Sequence, residues 1–430
     1  MKLLIFTPAI KASAIGRMTC LVTHALLEQQ HDVVIVRAEC EALLDRPTHD
    51  FGARMISWTN EAQVREAIAN CDMVVYQIGD NFRYHEGCVT WLARAPGVVC
   101  LHDFFIGHLF SMWAEKNMES ANSILKHWYG DAVAARYFNF ASSDEFIEDS
   151  KNNAPLTEWI ASQALSVITH SHWGTPRVIR ACSGRVRVVP LAYDAPGGSA
   201  LAQNYVPNKF GRMKLLTIGH INRNKRAANV IRAIASSPLL RQNVSYRLVG
   251  HINPEMTLEL STLAASLRVN LLISGEVDDA ELAHAVGEAD VMSCLRWPSL
   301  EAASASAIEA MLYGKAAIVT DTGFYREIPD DCVEKISHDG EVINLRKVLE
   351  RLYMDPVERR TMAERARRWA LSSYSADNYA KQLVAEGEAY QKSRPATNAK
   401  AYFVSQMKRW GASDALLNAD ETVSSLAVMD

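Results

Sequence analysis

Short apolar runs alternate with longer amphipathic stretches along almost the whole chain. Leu3–Phe6, Val33–Val36, Met73–Tyr76, Val98–Leu101, Val167–Thr169 and Val186–Val189 have the length and uniform hydrophobicity of strands buried on both faces. Between them, Met18–Gln29, Glu61–Asn70 and Trp173–Ala181 have helical spacing. A lapse at Ala192–Arg212, rich in Gly, Pro, Asn and Ser, reads as a linker. The alternation then resumes, with strands at Lys214–Ile218, Tyr246–Val249, Leu271–Ser274, Val291–Cys294 and Ala317–Thr320. Helices at Lys225–Ala235, Pro254–Leu267, Ala280–Glu288 and Ser304–Leu312 separate them, and Asn344–Tyr353, Pro356–Leu371 and Ala376–Tyr390 close the pattern. Repeated βαβ units imply an α/β fold with two parallel sheets, each covered by helices. The expected division is 1–200, 207–374, a helix at 375–392 crossing back to the first unit, and a helical tail at 393–430. Within that tail, "SRPATNAK" reads as a spacer. Phe403, Met407 and Trp410 form an apolar stripe beyond it, expected to pack on the protein, with attachment to a membrane surface as the second reading.

Totals narrow the picture. At 430 residues the chain suits two or three domains, and a net charge of −4 gives no electrostatic case for nucleic acid. No apolar run approaches the length of a membrane-spanning helix. The opening "MKLLIFTP" is broken by Thr7-Pro8 too early for an export signal and reads as a first strand. Eight cysteines are scattered without a CxxC pair, which implies reduced thiols and a cytoplasmic setting.

Candidate chemistry lies at strand ends. Open parallel sheets bind ligands beyond the carboxyl ends of their strands, so a cleft between the two units is the expected site. The first βα turn carries one glycine, Gly16, and lacks the GxGxxG that a dinucleotide pyrophosphate needs, which argues against a dehydrogenase. No DxD carboxylate pair is present, so no metal site is expected, and a diphosphate would rely on basic side chains and backbone amides. In "GHINRNKRAANVIRAIA", Arg223, Lys225 and Arg226 follow a strand and open a helix, where an anion would reverse their unfavourable interaction with the helix dipole. In "EAASASAIEAMLYG", Glu301 and Glu309 bracket seven small or slim residues. That segment admits two readings: a capping box formed by Ser306 and Glu309, or a place where a ligand approaches the backbone closely.

Together these segments resemble the family 4 retaining glycosyltransferases, whose signature is a Glu, seven residues and a second Glu at a helix start. "HAVGEADVMSCLRWP", "EAMLYGKAAIVTDTGFYREIP", "GHINRNKR" and, in the first half, "VVCLHDFFIGHLF" carry the likeness over most of residues 1–390. The resemblance implies a GT-B fold, two Rossmann-like domains facing a central cleft. It also implies transfer of a hexose from a nucleotide diphosphate sugar of UDP or GDP type to a hydroxyl of a glycan or lipid-linked acceptor. Polysaccharide or lipopolysaccharide biosynthesis in the cytoplasm, with the inner face of the membrane as the second setting, would be its context. On this resemblance Glu301 contacts the donor sugar and Glu309 the ribose, and Lys225, with Arg226 or Arg223, neutralises the diphosphate. Gly16 admits the phosphates from the first domain, and His102 faces the sugar with Asp103 orienting it. Front-face displacement would retain the anomeric configuration without a metal or other cofactor. The chain departs from the family at His220, where an Arg is common, at Ser304, where a Gly is common, and in its single N-terminal glycine. Alternatives are a sugar-nucleotide epimerase of the same fold and a non-catalytic sugar- or nucleotide-binding protein.

Overall fold

The computed structural model describes residues 1–195 and 212–411. Most of the expected linker therefore lies outside the described residues, as does the tail beyond residue 411. The first half is a seven-stranded sheet built from β1 (Lys2–Thr7), β2 (Asp32–Arg37), β3 (Arg54–Ser57), β4 (Met73–Ile78), β5 (Val98–Leu101), β6 (Ser166–Thr169) and β7 (Arg185–Val188), in the order β3-β2-β1-β4-β5-β6-β7. The second is a six-stranded sheet of β8 (Met213–Ile218), β9 (Val244–Val249), β10 (Leu271–Ile273), β11 (Val291–Ser293), β12 (Ala316–Thr320) and β13 (Glu334–Ile336), in the order β10-β9-β8-β11-β12-β13. Every pairing is parallel, with Leu3 opposite both Val33 and Met73 in the first sheet, and Val291 opposite Leu215 and Ala316 in the second.

Strand order reverses between β1 and β4, and again between β8 and β11. At such a switch point the crossovers leave on opposite faces, and the loops at the strands' carboxyl ends diverge to form a crevice. Each half thus makes one crevice, and the two face each other. One apolar cluster joins the halves, running from Ile5 and Val75 through Ile308 and Met311 to Leu216 and Val319. Two others fill the far faces of the two sheets.

The last helix, Ala376–Arg409, returns to the first half. Tyr379, Ala380 and Leu383 are buried in the shared cluster, the Gln29 side chain donates to Asp377, and Arg187 donates to Gln382 at 2.9 Å. Burial of Tyr379 and Leu383 contributes about 1.5–3 kcal/mol each. The helix runs through "SRPATNAK" without the expected spacer. An interior proline loses one hydrogen bond and crowds the carbonyl four residues back, while the Lys, Ala and Gln residues around it favour helix. Of the terminal stripe, Met407 is half-buried, Phe403 is 43% exposed and Trp410 is 81% exposed. Residues 104–149 hold helices Gly107–Ala114, Met118–Tyr129 and Asp131–Arg136, and Ser143–Asn153 begins within them.

Candidate active site

The crevices merge into a cavity of about 630 Å³ between the two sheets. Its walls are the segments that follow β1, β4, β5 and β6 on one side and β8 and β11 on the other. Backbone hydrogen bonds tie the halves together at its floor. Phe104 and Phe105 N–H both donate to Leu300 O, at 2.8 and 3.1 Å, and Ala302 N–H donates to His102 O at 2.9 Å. His102 and Glu301, some two hundred residues apart in sequence, therefore belong to adjacent backbone strands, and an antiparallel bridge pairs Asp103 with Glu301.

On the second domain's side, Gly219 ends β8 with a positive φ of 90°. A Cβ there would lie 3.1 Å from Lys225 Nζ, so the glycine makes room for the ammonium. Lys225 is buried, lines the cavity and donates to Ile218 O. Burial, followed by the nearby Arg296 cation, lowers its pKa to about 7. Glu301 accepts from Tyr325 OH at 2.8 Å and pairs with Arg296 Nε at 3.3 Å. Two turns along, Glu309 is buried and accepts from Tyr193 OH at 3.0 Å. Burial pushes the Glu309 carboxyl upward and Arg17 opposes that shift. Arg17 itself pairs with Asp194 at 2.7 Å.

The helix Ala305–Leu312 starts between the two glutamates. Its N-cap is Ser304, whose side chain makes no capping bond. The capping-box reading therefore fails, because Ser306 is the second residue of the helix and Glu309 lies beyond its first turn. With no side-chain cap, the first-turn amides remain a place for an anion. Ala303, Ala305 and Ser306 line the cavity there, and their small side chains leave the backbone accessible.

The first domain's side is a set of buried, mutually supporting polar groups. His102 Nε2 lies 2.7 Å from Gln77 Oε1, and its ring centre is 4.6 Å from that of His170. Burial lowers the pKa of three of the histidines here, His85 to about 3, His170 to about 4 and His102 well below the usual value, whereas at His108 burial is outweighed by Asp80, which raises it. Asp80 accepts from Leu109 N–H at 2.8 Å and pairs with His108 at 2.5 Å. Asp103 accepts from Asp80 N–H at 2.8 Å, and burial, then Asp80 and Glu301, push its carboxyl up to about 7.

Of the residues picked from sequence, His102, Asp103, Lys225, Glu301 and Glu309 line one cavity. Arg223, Arg226, Ser304 and Gly16 do not. Arg223 is exposed and pairs with Asp144 at 3.8 Å and Glu259 at 3.5 Å. Arg226 turns away in a left-handed conformation and binds the buried Glu341 carboxylate at 3.0 Å. Ser304 is buried behind the cavity wall, 3.3 Å from Ser306 Oγ. Gly16 faces its own domain: a side chain there would collide with the Pro8 carbonyl, so its role is close packing. Asp103 is held by Asp80, and the partner of His102 is Gln77. Sequence reasoning passed over Arg296, Arg17, Tyr193 and Gln77. Arg296 carried a signal, a cation just past the end of β11 at the switch point; the other three carried none.

Comparison with known proteins agrees with this geometry. Residues 206–369 match the family model described as glycosyl transferases group 1. A curated relative, the MMP alpha-(1->4)-mannosyltransferase of Mycolicibacterium hassiacum, is 31% identical over a stretch covering 38% of this chain and 44% of that protein. The match thus spans less than half of that relative's length. Among solved structures, sucrose-phosphate synthase from Thermosynechococcus elongatus superposes with a TM-score of 0.62 at 16% identity, covering 92% of this chain and all of that one. Anabaena HepE, solved in complex with UDP, superposes with a TM-score of 0.60 at 16% identity, over 90% of this chain and 100% of its own. WaaG, described as a glycosyltransferase involved in lipopolysaccharide biosynthesis, does so with 0.55 at 16% identity, over 88% and 98%. The fold is GT-B.

Proposed function

We propose that this chain is a glycosyltransferase that moves a hexose from a nucleotide diphosphate sugar to a hydroxyl of a glycan or lipid-linked acceptor, with retention of configuration. One observation carries the reading: a cavity between two GT-B domains holds Lys225, Glu301 and Glu309 around an uncapped helix start, with His102 opposite. The family match over residues 206–369 and the mannosyltransferase relative support it. UDP in the HepE structure supports a nucleotide of that kind as donor.

In this reading the diphosphate lies against the amides at Ser304–Ser306, with Lys225 compensating its charge. Glu309 accepts hydrogen bonds from the ribose diol, and its bond from Tyr193 orients it from the other half. Glu301, held by Tyr325 and Arg296, accepts from hydroxyls of the donor sugar. His102 is held through Nε2 by the Gln77 side-chain amide at 2.7 Å. Catalysis comes from stabilising the departing diphosphate and positioning the acceptor hydroxyl on the same face of the sugar. The leaving phosphate takes the acceptor's proton, so the chemistry runs without a metal. Expulsion of water from the closed cavity protects the donor from hydrolysis.

The test is turnover of UDP- and GDP-sugars with and without glycan and lipid-linked acceptors, in the presence of EDTA. Transfer with a retained anomeric centre is expected. Interconversion of the donor sugar with no acceptor present would show an epimerase instead. Glu301→Ala is expected to lower kcat at least 100-fold while nucleotide affinity stays within a few fold; a fully active variant would remove the sugar-contacting role.

A further inference from the structure

Arg296 is the most buried cation of the cavity that the reading above leaves without a task toward ligand. It follows β11, while Lys225 follows β8, and these strands are neighbours at the switch point of the second sheet. A backbone hydrogen bond from Trp297 N–H to Asn224 O, at 3.0 Å, clamps the two loops together next to both side chains. Arg296 is itself fixed at three points: its N–H donates to Thr320 Oγ1 at 3.1 Å, Nη1 to Leu295 O at 3.0 Å, and Nε pairs with Glu301 at 3.3 Å. Nη2 makes no hydrogen bond among the described residues.

Lys225 and Arg296 both line the cavity, and its two glutamates on this side are already engaged, Glu301 by Arg296 and Tyr325 and Glu309 by Tyr193. His220 lines the same wall, and burial, then His251, then the two cations lower its pKa. Two cations held together by rigid loops in a buried space repel one another unless an anion lies between them. We propose that Arg296 is a diphosphate-binding residue of this cavity, its free Nη2 edge and the Lys225 ammonium gripping the leaving phosphates from two sides. The inference rests on the donor-site reading and adds to it a specific donor. Because Nε and Nη1 are already engaged, a lysine at 296 would spend its single nitrogen on Leu295 O or Glu301 and leave the phosphates short of a partner.

Calorimetry with UDP and GDP, and with uridine and guanosine as diphosphate-free probes, tests this on the wild type, Arg296→Gln and Arg296→Lys. Arg296→Gln is expected to weaken the preferred nucleoside diphosphate 10- to 100-fold, the usual loss of a charge-assisted bond, with the nucleoside unchanged within twofold. Arg296→Lys should weaken it at least threefold, and serves as the readout if the glutamine variant does not fold. Unchanged diphosphate affinity, or an equal loss for diphosphate and nucleoside, would overturn the assignment and leave the donor site standing. A wild type that binds neither UDP nor GDP would overturn the donor site and Arg296's role together.

Discussion

The two walls of the cavity solve opposite electrostatic problems. The second domain's wall keeps charged groups facing inward: Lys225 and Arg296 beside Glu301, over an uncapped helix start. The first domain's wall holds groups that burial drives toward neutrality, His85, His102 and His170 as free imidazoles and Asp103 as an acid up to about pH 7, and its charges are matched, Arg17 by Asp194 and His108 by Asp80. A wall that stays charged without a full set of counter-ions suits a charged ligand, whereas a neutral, hydrogen-bonding wall suits hydroxyls. The same fold, used twice, thus offers one surface to a diphosphate and another to sugars.

Removing the central cation should blur the contrast most. Lys225→Met is expected to weaken nucleoside diphosphate binding about 100-fold, on the order of 3 kcal/mol, as loss of one partner of a buried charge pair does. Wild-type affinity should itself depend on pH. Lys225 titrates near 7 in the empty protein, and a bound diphosphate favours the ammonium, so binding takes up a proton. Affinity then falls as pH rises above 7, by up to tenfold per pH unit until the pKa of the complex is reached. Calorimetry in buffers of different ionisation enthalpy measures that proton directly, and a pH-independent affinity would contradict it.

An intermediate effect is expected on the neutral wall. His102→Asn should lower kcat about 10- to 100-fold and leave nucleoside diphosphate affinity unchanged, because the imidazole acts on the sugar and not on the phosphates. A matching loss of nucleotide affinity would place His102 on the charged side of the division. The smallest effect is on stability. Asp103 in the folded protein keeps its proton up to about pH 7, whereas an unfolded carboxyl loses it near 4. Between those values the native state binds the extra proton, so this group's contribution to stability declines as pH rises from 4 to 7 and is flat above. Asp103→Asn keeps an acceptor for Asp80 N–H and cannot ionise. Its melting temperature should match the wild type at pH 4 and exceed it by about 2 °C or more at pH 8, given a few degrees per kcal/mol.

Both sheets were legible wherever strands are buried on two faces, as in Met73–Ile78, because a continuous apolar run is all that such a strand requires. The edge strands β3 and β13 were missed. "RMIS" and "EKI" are short and partly exposed, and no apolar run marks them. The helices of the 104–149 segment have no counterpart in the sequence pattern for a related reason: their aromatic side chains pack on partners far along the chain, Phe105 on Phe146 and Phe110 on Trp159, and form no local stripe. At the site, Lys225, Glu301 and Glu309 stood out by their place in strand–loop–helix units, while His102 and the roles of the two glutamates came from the family resemblance. Arg223 and Arg226 shared that placement, yet single φ/ψ choices and distant carboxylates turned them away.

Sequence by itself determined the two parallel sheets, their strand ends and the small-residue segment between Glu301 and Glu309, because hydrophobic period and side-chain bulk act over a few residues. Only tertiary structure decided which charges face one another: Tyr193 on Glu309, Gln77 on His102, and Arg296 beside Lys225. Coulomb and hydrogen-bond energies depend on distance in space, and the chain order of a residue says little about that until the sheets are assembled.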